Sequence, residues 1–373
     1  MSSTEKTNLE SLSSCLATMG PKENEDGDGG DEETSEAATF SSETMVQAQK
    51  AKRDQGLYEA EVSFGGEADL HRQIIGCTKN PGHKDFLPFS SLTIDHFPDG
   101  YKDEKLLEAV QAWGELVVRI AVDYTSPDRP EFYPDSTDPY PFHQHGGSSM
   151  TRYGTGWAAA CTKDDGLDVM VFDGDVPCPC EDCEKSGRPA TSWGCIVIMT
   201  AMHVVFDTSE VERTSVKFFY HDDEDQENTV TLKGKSIKHS DLEMDSDHSE
   251  FLAVTHDFEF FEKIRLRSAE ANHLIKVAGE NYETEETGGL AIVVSHPHGC
   301  CKQVTFGRML ERDSLERSER FAYVYSTATC PGSSGGWVWP VGMGVQGRWW
   351  YHMAAHSQGL MDRTNMSTGH WIF

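Results

Sequence analysis

The chain has 373 residues and a formal net charge of −30, from 32 Lys and Arg against 62 Asp and Glu. So large an acid excess argues against nucleic acid or an anionic membrane as partner, because both demand basic faces. No stretch reaches the ~18 apolar residues that span a bilayer, and no amino-terminal apolar run has signal-peptide length, so the expected location is cytoplasmic, with the nucleus left open.

Met1–Gln49 carries eleven acids and two lysines, −9 of the total, and few large apolar residues, which predicts a disordered acidic arm (1–49). An amino-terminal extension (50–113) follows. Residues 50–100 are mixed and poorly periodic, but Lys102 to Trp113 reads as a helix with Leu106, Leu107, Val110 and Trp113 on one face. From 114 onward the pattern changes to short strands. Glu115–Val122 is the first, and a Pro/Gly-rich loop from Pro127 to Ser149 holds His143 and His145. Further strands are expected at Gly156–Cys161, Val169–Phe172, Gly194–Met199, Val216–Tyr220, Thr229–Leu232 and Phe251–Val254, with an acidic turn at His221–Asn228. Phe260 to Val277 is a second helix. The remaining strands are Leu290–Ser295, Gln303–Phe306, Phe321–Tyr325, Trp337–Pro340, Trp349–Ala355 and Trp371–Phe373. Short strands with turns at this spacing predict an all-β-dominated fold of antiparallel barrels.

Two segments carry chemistry. In Thr329-Cys330-Pro331-Gly332-Ser333-Ser334-Gly335-Gly336-Trp337 a serine stands among glycines, between two aromatic strands. Such a turn exposes a nucleophilic oxygen, and the Gly332 and Ser334 amides are placed to face an oxyanion. Upstream, the apolar strand Gly194–Met199 runs into Thr200-Ala201-Met202-His203, which sets His203 in a small-residue turn fit for a general base. A third segment, Cys178-Pro179-Cys180-Glu181-Asp182-Cys183, has thiols close enough to hold a structural zinc ion, with Cys195, His143 or His145 as fourth ligand, or is a surface insertion with free thiols. The ten cysteines are expected to be mostly reduced.

Together these residues resemble the chymotrypsin-like (PA clan) serine proteases. Thr200-Ala201-Met202-His203 is similar to that family's Thr-Ala-Ala-His. Pro331-Gly332-Ser333-Ser334-Gly335-Gly336 is similar to its serine motif in the form used by the high-temperature-requirement branch. Gly154-Thr155-Gly156-Trp157, and Val294–Gly299 followed by Val304-Thr305-Phe306-Gly307, match further motifs in order. The aromatic-rich style also resembles a trypsin-like family expanded in marine invertebrates. The resemblance covers about residues 114–373. It implies two six-stranded barrels, about 114–258 and 278–373, and a serine endopeptidase acting on peptides or proteins with no cofactor required.

It also implies a triad of His203, an acid and Ser334. The acid is expected among Asp241, Asp245, Asp247 and Glu250, with Asp247, 44 residues after His203, favoured over Glu250. Family spacing puts Ala328 at the base of the substrate pocket and Ala355-His356-Ser357-Gln358-Gly359 along its side. A histidine at the place of His356 resembles glutamyl endopeptidases and picornaviral-type main proteases, which read Glu or Gln. Ser333 replaces the aspartate that trypsins pair with a new amino terminus, so no activation of that kind is expected. The rival readings are an inactive protease-like scaffold that binds proteins and a metal-stabilised interaction module.

Overall fold

Strand-forming residues fall into two groups by how many of their faces are covered. In the computed structural model the described residues are 50–373, apart from 64–65, 135, 160–170, 174–175, 223–225, 239–246, 283–287, 315–319, 343–353, 361–363 and 371–373. The acidic arm, the expected strand Trp371–Phe373, and parts of those at Gly156–Cys161, Val169–Phe172 and Trp349–Ala355 lie outside them, as do Asp241 and Asp245 and the middle of the acidic turn.

The extension supplies strands β1 (Glu61–Val62) and β2 (Leu87–Pro88) and helices α1 (Glu67–Ile75) and α2 (Glu104–Leu116). There follow β3 (Val117–Val122), β4 (Arg152–Ala159), β5 (Val171–Asp173), helix α3 (Glu181–Ser186), β6 (Ser192–Ala201), helix α4 (Thr208–Val211), β7 (Thr214–Phe218), β8 (Val230–Ile237) and β9 (His248–Thr255). Helix α5 (Phe258–Gly279) leads to β10 (Leu290–Ser295), β11 (Gln303–Ser314), β12 (Arg320–Tyr325), β13 (Trp337–Pro340), β14 (Ala354–Gly359) and β15 (Asn365–His370). β7 alternates, with Thr214, Val216 and Phe218 inward, as a half-exposed strand must. β6 is buried on both faces, because α5 packs outside it: a Cβ on Gly194 would lie 2.6 Å from the Phe261 ring. That double burial is why β6 reads as an unbroken apolar run.

Two closed, antiparallel, six-stranded barrels result. The first runs β4-β3-β7-β8-β9-β6 and closes through β4–β6 pairing; the second runs β10-β13-β14-β15-β12-β11 and closes through β10–β11. Closure removes the exposed edges that an open sheet would leave. The helices obey local rules. Asp103 caps α2 by accepting from Lys105 N, and Asp257 caps α5 by accepting from Phe260 N. α5 buries Phe260, Phe261, Ile264, Ser268, Ala271 and Ile275, a stripe of helical period.

The extension is woven into both barrels. β1 pairs with β4, β2 pairs with β11, and the Trp113 ring of α2 stacks on Trp337 of β13, with centroids 5.5 Å apart. Among the described residues, no helix is long and apolar enough to cross a membrane.

Candidate active site

His203, Asp247 and Ser334 meet in the cleft between the barrels. Thr200 and Ala201 end β6, and the chain turns so that the His203 ring faces the second barrel. Asp247 stands just before β9, where register with β6 pairs Ala201 with His248. Its backbone takes φ +47, a left-handed angle that aspartate tolerates better than most residues, and the turn aims its carboxylate back at His203. Asp247 Oδ1 accepts from the His203 backbone N at 2.9 Å, and Oδ2 lies 2.7 Å from His203 Nδ1. Ser357 Oγ donates to Oδ2 at 2.5 Å. A carboxylate at Nδ1 calls for a proton there, which leaves the Nε2 lone pair facing Ser334 Oγ at 2.7 Å. All three side chains are buried. Glu250, the other acid weighed from sequence, points elsewhere: its carboxylate meets Lys238 Nζ at 3.0 Å and His248 Nε2 at 3.2 Å. Burial pushes the Glu250 carboxyl up, but these partners outweigh it and hold it at about 2.

The serine turn needs its glycines. Gly332 (φ +94) and Gly335 (φ +80) are left-handed, and a Cβ on them would come 2.6 Å from His296 O and 2.0 Å from Thr155 O. Thr155, in the Gly-Thr-Gly-Trp motif of β4, straps the turn: its N donates to Ser334 O at 2.8 Å and its Oγ1 to Gly332 O at 2.8 Å. Ser333 is buried and bonds Ser295 Oγ at 3.1 Å, so an interior hydroxyl holds the position that trypsin-type activation leaves to a charged pair.

The Gly332 and Ser334 amides converge on one oxygen, the carbonyl of Glu59, at 2.6 and 3.3 Å. The Glu59 carboxylate accepts from His356 Nε2 at 2.7 Å and is in contact with Lys79 Nζ. Burial pushes that carboxyl up, yet the His356 hydrogen bond and the Lys79 charge hold it at about 2. Burial pushes His356 down from its ordinary value, and its Nδ1 meets the Tyr325 hydroxyl at 2.7 Å. Lys79 Nζ also bonds Thr329 Oγ1 and Asn365 Oδ1, each at 3.0 Å. Gly359 leaves room for this pair, since a Cβ there would meet Lys79 Nζ at 2.4 Å and Glu59 Oε1 at 2.7 Å. His356 and Gly359 both lie against this carboxylate. Ala328 enters through its carbonyl, which accepts from Thr305 Oγ1 at 2.9 Å, and Thr329 brings the side chain to the partly buried Lys79 ammonium. Lys79 and Glu59 went unrecognised in the sequence, because their segment has no periodicity and their partners are some 250 to 300 positions away.

Behind His203 lies an ion cluster also missed in the sequence. Glu210 pairs with Arg129 and Arg152, all with side chains 0% exposed. Arg129 Nη2 donates to His203 O and Arg152 Nε to Val204 O, each at 3.0 Å, which braces the histidine turn.

The cysteine insertion also comes together, with a different fourth member. Cys180, Cys183 and Cys178 Sγ lie 3.3, 3.6 and 3.9 Å from His256 Nδ1. Cys195 packs in the same buried cluster, but it, His143 and His145 are not among the four converging ligand atoms, and His145 Nε2 instead meets Asp54 at 3.3 Å. His256 sits in the β9–α5 turn, and the pairing of β9 with β6 brings it to the insertion.

No family model and no curated protein matches this sequence. Among solved structures, the chain is similar to the HtrA-type protease AlgW with decapeptide, at 14% identity over 70% of this chain and 63% of that one, with TM-score 0.36. It is also similar to the active form of the Rv3671c protease from M. tuberculosis (16%, 72% and 82%, TM-score 0.35) and to Deg5 (12%, 73% and 90%, TM-score 0.36). The chain thus spans less than two thirds of the AlgW chain. The double six-stranded barrel is established by its own strand pairing.

Proposed function

We propose that the protein is a serine endopeptidase. The observation that carries this reading is the line Asp247–His203–Ser334, with both links at 2.7 Å, ending beside two amides that already hold a carbonyl oxygen. Ser334 Oγ attacks the peptide carbonyl while His203 Nε2 takes its proton. Asp247 fixes the imidazole tautomer and offsets the charge that develops on it, and the Gly332 and Ser334 amides hold the oxyanion. His203 then protonates the leaving amine, and water releases the acyl group by the same route. No cofactor enters these steps.

The residue on the acyl side of the cleaved bond (P1) is a glutamate. His356 and Lys79 offer a buried donor and a fixed charge, and Gly359 keeps the entrance open. Replacing Gly359 with valine should abolish cleavage after Glu while sparing peptides with a small P1 residue; equal loss on both would reject the pocket assignment. For the enzyme itself, a fluorophosphonate probe should label the full chain and neither Ser334→Ala nor His203→Ala. A folded chain that resists the probe, even with Glu59 replaced by lysine to empty the cleft, favours the scaffold reading.

Cys178, Cys180, Cys183 and His256 form a closed structural zinc site in this proposal. Zinc bonds of about 2.3 Å to sulfur and 2.0–2.1 Å to nitrogen, at tetrahedral angles, place S and N about 3.6 Å apart, and the spacings here bracket that value. The ion would tie the insertion to the β9–α5 turn. Cys183→Ser should lose one zinc by elemental analysis and lower the unfolding midpoint by several degrees; unchanged metal content would remove the site. Thiolates that hold zinc suit a reducing, cytoplasmic setting.

A further inference from the structure

The segment that fills the cleft belongs to the chain itself. Leu57 O accepts from Gly359 N at 2.9 Å, and Tyr58 forms an antiparallel bridge with Gln358, so the segment adds to β14 as a short extra strand. The Tyr58 ring lies against the His203 ring, with centroids 4.7 Å apart. Glu59 N is 3.1 Å from Ser334 Oγ, its carbonyl takes the two converging amides, and its carboxylate fills the pocket. Polarity is correct for a substrate: Leu57 to Glu59 are on the acyl side and Ala60 follows on the leaving side. Ala60 is clasped by Gln55, whose Nε2 donates to Ala60 O at 2.9 Å and whose Oε1 accepts from Ala60 N at 3.1 Å, and β1 then runs away along β4.

Resting on the endopeptidase reading, we infer that the Glu59–Ala60 bond is the protein's own first substrate, cut in cis by Ser334, and that His356 and Lys79 select glutamate there and in later substrates. Ser334 Oγ bonds to the Glu59 carbonyl carbon as its proton moves to His203. The C–N bond to Ala60 breaks and the proton passes to the Ala60 amine. Water, deprotonated by His203, then frees Glu59 as a carboxylate and restores the serine. Because Gln55 and β1 hold the new amine near the ester, resynthesis competes and the cut is slow, once per chain. Departure of residues up to Glu59 leaves Lys79 in the pocket, held by Thr329 and Asn365, and opens the cleft to other chains. Ala60 stays near β4 and does not insert beside Ser333, in keeping with that residue's interior bond.

Intact mass and amino-terminal sequencing of the full chain over time test this. The expected result is a fragment starting at Ala60, formed at a rate unchanged by dilution, absent from Ser334→Ala, and slowed at least about 10²-fold by Glu59→Lys, which puts a cation against His356 and Lys79. Wild type that stays whole while the Glu59→Lys chain reacts with fluorophosphonate overturns self-cleavage and leaves the endopeptidase standing. No reaction in either folded chain overturns both. Cutting at this bond in Ser334→Ala assigns it to another protease and overturns the inference.

A separate observation carries a second site. His298 is buried, its Nδ1 meets Glu61 Oε2 at 2.6 Å, and its Nε2 has no hydrogen-bond partner among the described residues. Cys77, His83 and Cys330 converge with it, their ligand atoms within 4.8 Å of one another, and Cys330 Sγ is 3.6 Å from Cys77 Sγ and 3.4 Å from His83 Nε2. Asn80 donates to both sulfurs, at 3.4 and 3.2 Å. A carboxylate on one ring nitrogen with the other lone pair unused, and amides on the thiols, is how a metal site is supported from behind. The geometry points to a second structural zinc that staples the Lys79 segment to the serine turn. Zinc content of the full Cys183→Ser chain, in which this site alone remains, is the deciding number. One zinc, lost on adding Cys330→Ser, is the expected result. No zinc in the folded Cys183→Ser chain, or a non-reduced mass short by two hydrogens from a Cys77–Cys330 disulfide, overturns it.

Discussion

Replacing Ser334 with alanine should lower kcat on a glutamyl peptide by about 10⁶-fold, and Asp247→Asn by about 10⁴-fold, with KM nearly unchanged in both. The first change removes the atom that attacks. The second keeps the shape but switches the imidazole tautomer: an amide at that place donates to Nδ1, so the proton moves to Nε2 and no base faces Ser334. The carboxylate also accepts from His203 N and Ser357 Oγ, so part of its effect is geometric. Glu250→Gln is the control. Its partners are Lys238 and His248, so it should weaken stability and leave kcat alone. Steady-state kinetics on the three purified variants decide this; a large loss in Glu250→Gln with Asp247→Asn near wild type would move the acid to the other carboxylate.

Glu210→Ala should cost about 3–5 kcal/mol of stability, because it leaves two buried guanidiniums without their counter-charge. Arg129 and Arg152 share that carboxylate, and Ser126 N and Phe206 N donate to it as well, each at 2.9 Å. Burial pushes the Glu210 carboxyl up from 4.5, and the two arginines outweigh it and hold it at about 2. A carboxyl lowered on folding contributes stability that is fully present above about pH 4.5 and is lost as pH falls toward 2. Glu250, also held at about 2, adds to the same window. Chemical denaturation of wild type and Glu210→Ala at neutral pH and near pH 3 should show the gap between them shrinking in acid. A constant gap would mean that the cluster acts by packing alone. The variant should also lose activity at temperatures where it remains folded, since Arg129 and Arg152 brace the carbonyls of His203 and Val204.

How much of this was legible in the sequence differs from one residue to the next. Asp247 and Glu250 show the limit. Both precede or enter an apolar strand, and composition cannot rank them. Register ranks them, because Met199 pairs with Glu250 and Ala201 with His248, which leaves Asp247 at the mouth of the barrel beside the histidine turn. The cysteine cluster shows the same limit, since three thiols lie within six residues and the fourth ligand, His256, is 73 residues beyond Cys183.

The sequence by itself determined most of the barrel strands (though not β15, Asn365–His370), the two long helices, the glycine turn at Ser334 and the small-residue turn at His203. Those are local matters: period-two burial, helical periodicity, a backbone angle open only to glycine. Tertiary structure alone decided which acid meets His203, which histidine completes the cysteine cluster, and that Lys79 and Glu59 meet beside His356. The contacts of these histidines join residues 44 to 297 positions apart. Nothing in a window of twenty residues encodes them, because they exist only once both barrels have closed and the extension has been drawn across the cleft between them.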